Sequence, residues 1–344
     1  MSTDANSSSS ADAALVPLRE RLSGAMPYLI VPILALVALP LVGGFPSWMT
    51  LTLAGLAMGM MIFLMASGLS LVFGLMDVLN FGHGAFITFG AFIASSLVIP
   101  LAPWMQSDQL LLNLAGLMVI IVAAAAVSGA IGYAFERVII QPVYGAHLKQ
   151  ILITMGALIV AEQLVPVIWG GVPVQVPKPT TLQGAFIFGN VAFEKFRLFA
   201  VVIGVVVFAG LILTLTKTRI GLLIRAGVEN REMVEALGYR ISMLFVGVFV
   251  AGSALAAMGG TMWAFYNELI TASLGNEVMI LVFIVVIIGG LGSIQGSLVG
   301  ALLVGLTANY AGFLVPKLAL GSNILLMVLI LLWRPTGLFT GGKT

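Results

Sequence analysis

The chain has 344 residues, of which 60% are hydrophobic and only 8% are charged, with 15 Lys and Arg against 13 Asp and Glu. Because soluble domains carry about 25% charged residues, this chain has too few charged groups to cover a water-soluble surface. The composition excludes soluble enzymes, nucleic-acid-binding proteins and disordered chains, and it predicts a polytopic membrane protein. With no Cys and only two His, thiolate and His-rich metal sites are not expected, and we predict no metal and no cofactor.

Residues 1–25 are rich in Ser and carry Asp4 and Asp12. This composition predicts a disordered cytoplasmic tail. The apolar stretch that follows Arg19 and Arg21 also fits a cleaved signal peptide. Because Pro residues interrupt that stretch, we favour an uncleaved first helix.

Ten apolar stretches follow the tail, and several are shorter than the roughly 20 residues that a membrane-crossing helix needs. They are Tyr28–Val42, Leu51–Phe73, Ala85–Leu101, Leu111–Phe135, Ile151–Trp169, Leu198–Thr216, Met243–Tyr266, Val278–Leu291, Leu298–Val315 and Leu320–Trp333. The runs are continuous and lack the alternation of barrel strands. The predicted fold is all-α, a polytopic inner-membrane helical bundle with about 8–10 transmembrane or re-entrant helices.

The distribution of Lys and Arg predicts the orientation of the chain. If residues 1–25 are cytoplasmic, eleven of the 15 basic residues fall on the cytoplasmic side. The other four are Lys178, Lys195, Arg197 and Lys317. This asymmetry predicts an even number of crossings with both termini in the cytoplasm.

Two hydrophilic stretches interrupt the apolar pattern. Residues 170–197 contain three Pro residues and alternating Val, which predicts a small extracytoplasmic lobe with short strands. Residues 217–242 hold eight of the 28 charged residues and lie on the predicted cytoplasmic side.

The cytoplasmic stretch contains a predicted short helix. Asn230 is placed to cap its start and Gly238 to end it, while Met233 and Leu237 form an apolar edge. A helix this short needs a surface to dock against. The stretch is either a solvated loop or a coupling helix that binds a cytoplasmic partner, and the dense charge and marked caps favour the coupling helix.

An internal duplication is favoured by sliding the chain against itself by 210 residues, which aligns six identical residues in the 21-residue windows that begin at Leu71 and Leu281. Transporters often arise by duplication, with helix breaks at matching positions. Chance agreement among Leu, Val, Gly and Ala is the alternative, and the relative orientation of the repeats stays open.

A polar cluster follows the second apolar stretch. Asp77, Asn80 and His83 are three residues apart, and Gly82 and Gly84 favour a break in the helix. Asp77, Asn80, His83 and Gly84 suit a translocation pathway or gate, and the alternative is a cluster that caps helix ends. Glu162 lies within an apolar stretch, where it either lines the pathway or pairs with a neighbouring helix.

Three segments together resemble a known family: Gly68–Phe86, with the run Leu-Asn-Phe-Gly-His-Gly, the Gly-rich segment Gly289–Gly300, and Arg225–Gly238. The chain resembles the permease subunit of branched-chain amino acid ABC importers, of the type that carries a Leu-Asn-Phe-x-His-Gly signature. The resemblance extends from about residue 27 to residue 338. The family usually has Ala at the position of Gly82.

The resemblance implies that residues 26–338 form the transmembrane permease domain of a heteromeric importer and that residues 339–344 are a flexible tail. The implied partners are two ATP-binding subunits, a paralogous permease subunit or a second copy, and an extracytoplasmic substrate-binding protein. The implied substrate is a branched-chain or related amino acid, although similar permeases carry urea or short amides. The residues expected to couple to the ATPase are Arg225, Glu229, Arg231, Glu232, Glu235 and Gly238.

A match to the Walker A pattern lies at Gly337–Thr344. A phosphate-binding loop needs a preceding strand and a following helix, and neither is expected here. We therefore predict that this chain is a transport subunit without catalytic residues and that partner subunits hydrolyse ATP. The alternative is an ion-coupled secondary transporter in which Glu162 or Asp77 is the coupling carboxylate.

Overall fold

The computed structural model describes residues 26–229 and 231–339. The predicted tail 1–25 and residues 340–344 lie outside the described residues. Each of the ten apolar stretches falls in a helix, which confirms the predicted all-α helical bundle. Within the described residues, six helices are long and apolar enough to cross a membrane, and four apolar helices are shorter.

Thirteen α-helices succeed one another along the described residues. They are α1 Met26–Val42, α2 Phe45–Met76, α3 His83–Val98, α4 Ala102–Met105, α5 Leu110–Phe135, α6 His147–Trp169, α7 Lys195–Lys217, α8 Arg219–Glu229, α9 Arg231–Ala236, α10 Ile241–Asn267, α11 Leu274–Gly289, α12 Ile294–Leu314 and α13 Ala319–Trp333. A π-helical turn, Glu136–Ile140, continues α5.

Short strands lie in and beside the stretch expected to form the lobe. Strand β1 (Val174–Gln175) pairs antiparallel with β4 (Leu269–Ile270), and β2 (Ala185–Phe188) pairs antiparallel with β3 (Val191–Glu194). The expectation of strands between residues 170 and 197 is confirmed. Strand β4 was not predicted, because a two-residue strand carries no periodicity.

Helix α2 forms the centre of the bundle, since its most apolar window is 83% buried. It packs against α12 and α10 at glycines, where the backbones come too close for a side chain. A Cβ added at Gly59 would lie 2.8 Å from the Ala301 carbonyl oxygen, and one added at Gly55 would lie 2.9 Å from the Leu306 Cα. Small residues permit such close packing, which supplies much of the association energy of helices in lipid.

Helices α6 and α7 lie at the periphery, with windows that are only 22% and 11% buried. Most of their exposed side chains are aliphatic, and the exposed polar residues are His147, Lys149, Gln163, Thr214, Thr216 and Lys217. Such a surface is stable only against lipid or another subunit.

The structure contains an internal repeat at an offset of 191 residues. Helix α2 ends at Met76 and α10 at Asn267, while α3 and α11 each have 16 residues and begin at His83 and Leu274. The residues that follow α2 and α10, Asp77 and Glu268, have φ angles of 51° and 61°. Among the described residues they are the only non-glycines with positive φ.

The sequence offset of 210 is wrong as a description of this repeat, because it superposes the 32-residue α2 on the 16-residue α11. The offset of 191 instead relates the end of α2 and all of α3 to the end of α10 and all of α11. Gly68 of α2 lies against Gly252, whereas Met65 lies against Gly259, so α2 and α10 run antiparallel. The two repeats are therefore inverted relative to each other.

We expect the substitution Gly59→Ala to lower the stability of the protein. The new methyl group meets the α12 backbone, which cannot move aside as a side chain can, and overpacking of this kind costs about 1–3 kcal/mol. The measurement is the thermal denaturation midpoint of the purified protein in detergent. Gly156→Ala in α6 is the matched control, because nothing lies within 4 Å of its added Cβ. An equal midpoint for the two variants would contradict the tight contact.

Candidate functional site

Two short helices, α3 and α11, begin beside each other in the middle of the bundle. A Cβ added at Gly84 would lie 2.9 Å from the Gly275 carbonyl oxygen and 3.2 Å from Leu158, the central residue of α6. The Gly275 amide donates a hydrogen bond of 2.9 Å to the Thr88 hydroxyl. We call this meeting point of the two helix starts the junction, and it lies half-way along α6.

From the junction, α3 and α11 run to opposite ends of the bundle. Ser96, near the end of α3, accepts a 2.7 Å hydrogen bond from Trp169 at the C-terminal end of α6. Gly292, just after α11, packs against Gly74 near the C-terminal end of α2, at the end of the bundle where α6 begins. The positive N-terminal ends of both helix dipoles consequently meet at the junction.

Asn80, His83 and Gly84 lie together at the junction. His83 is 1% exposed, and its Nε2 donates a 2.9 Å hydrogen bond to the Met65 carbonyl. Asn80 is 1% exposed, and its Oδ1 has no hydrogen-bond partner among the described residues. The three residues face the interior of this chain, and their role in a pathway or gate stays a prediction.

Asp77 lies apart from the other predicted residues. Its side chain is 74% exposed at the end of α2, and its carboxylate is 3.8 Å from the imidazole of His147 at the start of α6. The turn between Asp77 and His83 carries the chain from this end of the bundle back to the junction. A continuous helix would have placed Asp77, Asn80 and His83 near one face, but the helix breaks between Met76 and His83, as Gly82 and Gly84 predict.

Glu162 lies on α6, one turn beyond Leu158 and thus near the depth of the junction. The side chain is half-buried, and Oε1 has no hydrogen-bond partner among the described residues. Glu277 lies in the first turn of α11, two residues after Gly275 at the junction. Glu162 and Glu277 therefore place two carboxyl groups close to mid-depth, on different helices.

Sequence reasoning missed Glu277, which lies in the first turn of α11. Its side chain is exposed, and Oε1 accepts a 2.6 Å hydrogen bond from Ser273. It lines an open groove of about 480 Å³, together with Trp263, Asn267, Leu269, Thr271, Leu274, Val278 and Leu281. The available signal was an acidic residue directly before Val278, at the start of an apolar stretch too short to span the membrane.

The predicted coupling segment folds as two short helices, α8 and α9. Gly238 ends α9 with a φ of 89°, and its amide donates to the Glu235 carbonyl at 2.9 Å. Val234 is 4% exposed and anchors α9 on the bundle, while Met233 and Leu237 are 61% and 70% exposed. The apolar edge predicted from the sequence thus faces outward.

The other residues of the predicted coupling set differ in how far they are described. Arg225 is exposed on α8 and Glu235 is exposed on α9. Asn230 and the side chains of Glu229, Arg231 and Glu232 lie outside the described residues. Among the described residues, no cluster of three or more metal-ligating side chains occurs.

An ion-pair network joins the stretch after α6 to the ends of α7 and α10. The Lys178 ammonium lies 2.6 Å from Glu194 and 2.7 Å from Glu268, and Arg197 lies 3.0 Å from Glu194. Burial lowers the pKa of Lys178, but the hydrogen bonds and charges of the two glutamates outweigh burial and raise that pKa above its ordinary value. The network holds the lobe to the bundle beside the paired strands β1 and β4.

Lys178→Met should destabilise the protein by about 2 kcal/mol at neutral pH, because two carboxylates lose a hydrogen-bonded cation. Since the folded-state pKa is raised, the Lys178 contribution is complete below the unfolded pKa of about 10.4 and is lost as pH rises through the folded value. Denaturation midpoints measured from pH 7 to 11 check both statements. Lys317→Met, at an exposed lysine, is the control. An alkaline dependence retained in full by Lys178→Met would contradict this assignment.

Comparison with known proteins identifies the same family that the sequence motifs resemble. The family model for the branched-chain amino acid transport system permease component matches residues 51–333. The chain is similar to the high-affinity branched-chain amino acid transport system permease protein BraD of Pseudomonas aeruginosa, with 29% identity over 295 residues, 83% of this chain and 93% of BraD. It is also similar to the corresponding protein LivH of Escherichia coli K12, with 27% identity over 291 residues, 83% of this chain and 92% of LivH. No solved structure matches significantly.

Proposed function

Because this chain belongs to the permease-component family of branched-chain amino acid transport systems, we propose that it is the membrane-spanning subunit of an ATP-binding-cassette importer for branched-chain or related amino acids. The observation that carries the proposal is the family match, which spans residues 51–333 and so includes α3, α11 and the coupling segment. The names of BraD and LivH support the substrate class.

The proposed assembly contains two ATP-binding subunits, a second permease subunit and an extracytoplasmic substrate-binding protein. The proposed location is the bacterial inner membrane, with both termini in the cytoplasm. The excess of Lys and Arg in the stretches assigned to that side supports this orientation. The predicted lobe and the coupling segment adjoin opposite ends of α7, which supports their assignment to opposite sides of the membrane.

In this assembly, the junction is the proposed gate. The start of α3 is held against α2, α6 and α11 by Asn80, His83 and Gly84. A movement of α3 or α11 would therefore open or close the translocation pathway at the depth of the junction. Glu162 lies at the same depth on the peripheral helix α6, and we assign it to the lining of the translocation pathway. Asp77 is assigned to the cytoplasmic end of the same route.

The coupling segment is the proposed contact with an ATP-binding subunit. Its outward edge offers two large apolar side chains, Met233 and Leu237, and the same segment carries the exposed charged residues Arg225 on α8 and Glu235 on α9. An apolar anchor within a charged rim is the composition of a protein–protein contact. Because Val234 is buried against the bundle, a displacement of α9 by the ATP-binding subunit would also displace the helices that Val234 contacts.

A second candidate is an ion-coupled secondary transporter, favoured by the carboxyl oxygen of Glu162 that has no partner among the described residues. The two functions differ in their energy source. An ion-coupled carrier transports without ATP and loses coupling in Glu162→Gln.

The test of the proposed function is uptake of labelled leucine into vesicles that contain this chain with its ATP-binding subunits, second permease and binding protein. We expect uptake only with ATP and the binding protein, and competition by isoleucine and valine. Urea and acetamide competitors check the alternative substrates. Leucine uptake by this chain alone, driven by an ion gradient, would support the secondary transporter.

Met233→Asp and Leu237→Asp should each weaken binding of the ATP-binding subunit. Replacing a central apolar anchor by a charge costs about 2 kcal/mol or more, which is about thirtyfold in Kd. The measurement is the affinity of purified ATP-binding subunit for the permease pair in nanodiscs. The control is Val172→Asp, an equally exposed apolar residue that is 74% exposed in the predicted lobe. Equal affinities for all variants would remove α9 from the contact.

A further inference from the structure

We infer that the groove beside α11 is the surface along which the substrate crosses mid-depth, with the Glu277 carboxylate receiving the α-ammonium group of an aliphatic amino acid. This inference rests on the proposed function and assigns a substrate-contacting residue to it. The groove lies between the end of α10 and the first half of α11.

Glu277 lies close to mid-depth in the bundle. It lies two residues after Gly275, which touches Gly84 beside the central residue of α6. An ionised carboxyl group that faces hydrocarbon at mid-depth costs about 2.5–3.5 kcal/mol. Because Glu277 is exposed on this subunit, the assembled protein must offer it water, a polar neighbour or a ligand.

Glu277 has few polar contacts within the chain. Ser273 donates one hydrogen bond to Oε1, and none of the ion pairs among the described residues includes Glu277. Its position in the first turn of α11 accounts for a negative charge through the helix dipole. The dipole does not account for a carboxylate that lines an open groove of about 480 Å³.

The lining of the groove matches a zwitterion with an aliphatic side chain. Leu274, Val278 and Leu281 line the groove beside the carboxylate and suit a branched hydrocarbon. Asn267, the last residue of α10, and Thr271, just after β4, supply amide and hydroxyl groups, which within the chain bond to the Trp263 carbonyl and the Ser273 hydroxyl. The volume lies within the range of small-molecule sites, about 300–1,000 Å³. The substrate carboxylate then points toward the positive ends of α3 and α11.

The groove is open on one side, where apolar side chains are exposed. Ile280, one turn from Glu277 on the same helix, is 58% exposed, and Leu269 is 50% exposed. A second permease subunit placed against this side would complete the wall and keep the carboxylate out of lipid. The substrate would then pass between this chain and the second permease subunit of the proposed assembly.

The first experiment is leucine uptake by the complete importer with Glu277→Gln, which keeps the shape and removes the charge. We expect the maximal rate to fall about tenfold, because a charge-assisted hydrogen bond of about 1.5–3 kcal/mol is lost. The KM should stay constant, since the binding protein captures the substrate. The matched control, Asp108→Asn, removes an exposed carboxylate elsewhere and should retain the wild-type rate.

The second experiment uses the absence of Cys in this chain. Thr271→Cys and Leu281→Cys, in the complete importer, should react with a charged methanethiosulfonate reagent, because the groove contains water. Val206→Cys, on an exposed aliphatic face of α7, is the lipid-facing control and should stay unreactive. Leucine with its binding protein should slow labelling at Leu281→Cys.

The outcomes separate the inference from the proposed function. If the wild-type complex shows no ATP-dependent leucine uptake, the proposed function fails. If the wild type transports but Glu277→Gln keeps the full rate, the inference is overturned. The inference is also overturned if Leu281→Cys is as unreactive as Val206→Cys. Labelling measures the groove even where Glu277→Gln fails to assemble.

Discussion

The contact between Gly84 and Gly275 is the constraint on which the rest of the structure depends. Two helices begin at this point, and the backbones touch because neither residue has a side chain. A helix start leaves amide groups without partners inside the helix, and within a membrane those groups need partners from the protein. The Thr88 hydroxyl accepts from Gly275, and the Asn80 carbonyl accepts from the His83 amide. A mid-depth start is stable only with such partners.

The inverted repeat explains why two such starts exist. A duplicated segment inserted in the opposite direction brings the same helix start to the same depth from the other side. Asp77 and Glu268, with their matching left-handed backbones, mark equivalent turns at opposite ends of the bundle. The turns have diverged in chemistry: one approaches His147, and the other holds the Lys178 network.

The charges of the chain follow this architecture. Lys178, Glu194, Arg197 and Glu268 tie the lobe to the bundle, and the coupling segment carries a second concentration of charge. Among the described residues few carboxyl groups lie at mid-depth, where a charge that faces hydrocarbon is costly. Glu162 and Glu277 are such groups among the described residues, and Glu277 lines an open groove.

The sequence by itself determined the class of protein, the helical stretches and the break before His83. Each depends on local composition: continuous apolar runs predict helices, and closely spaced glycines predict where a helix ends. The same local logic placed the short helix that ends at Gly238.

Only the tertiary structure decided which parts meet. The meeting of Gly84 with Gly275 joins residues almost 200 positions apart in the chain, and the burial of Asn80 and His83 and the exposure of Glu277 depend on how the helices pack. Leu, Val, Gly and Ala recur in every helix, so sequence identity among them does not specify a partner. Backbone contact at particular glycines does specify one, because there a side chain on either helix would keep the two apart.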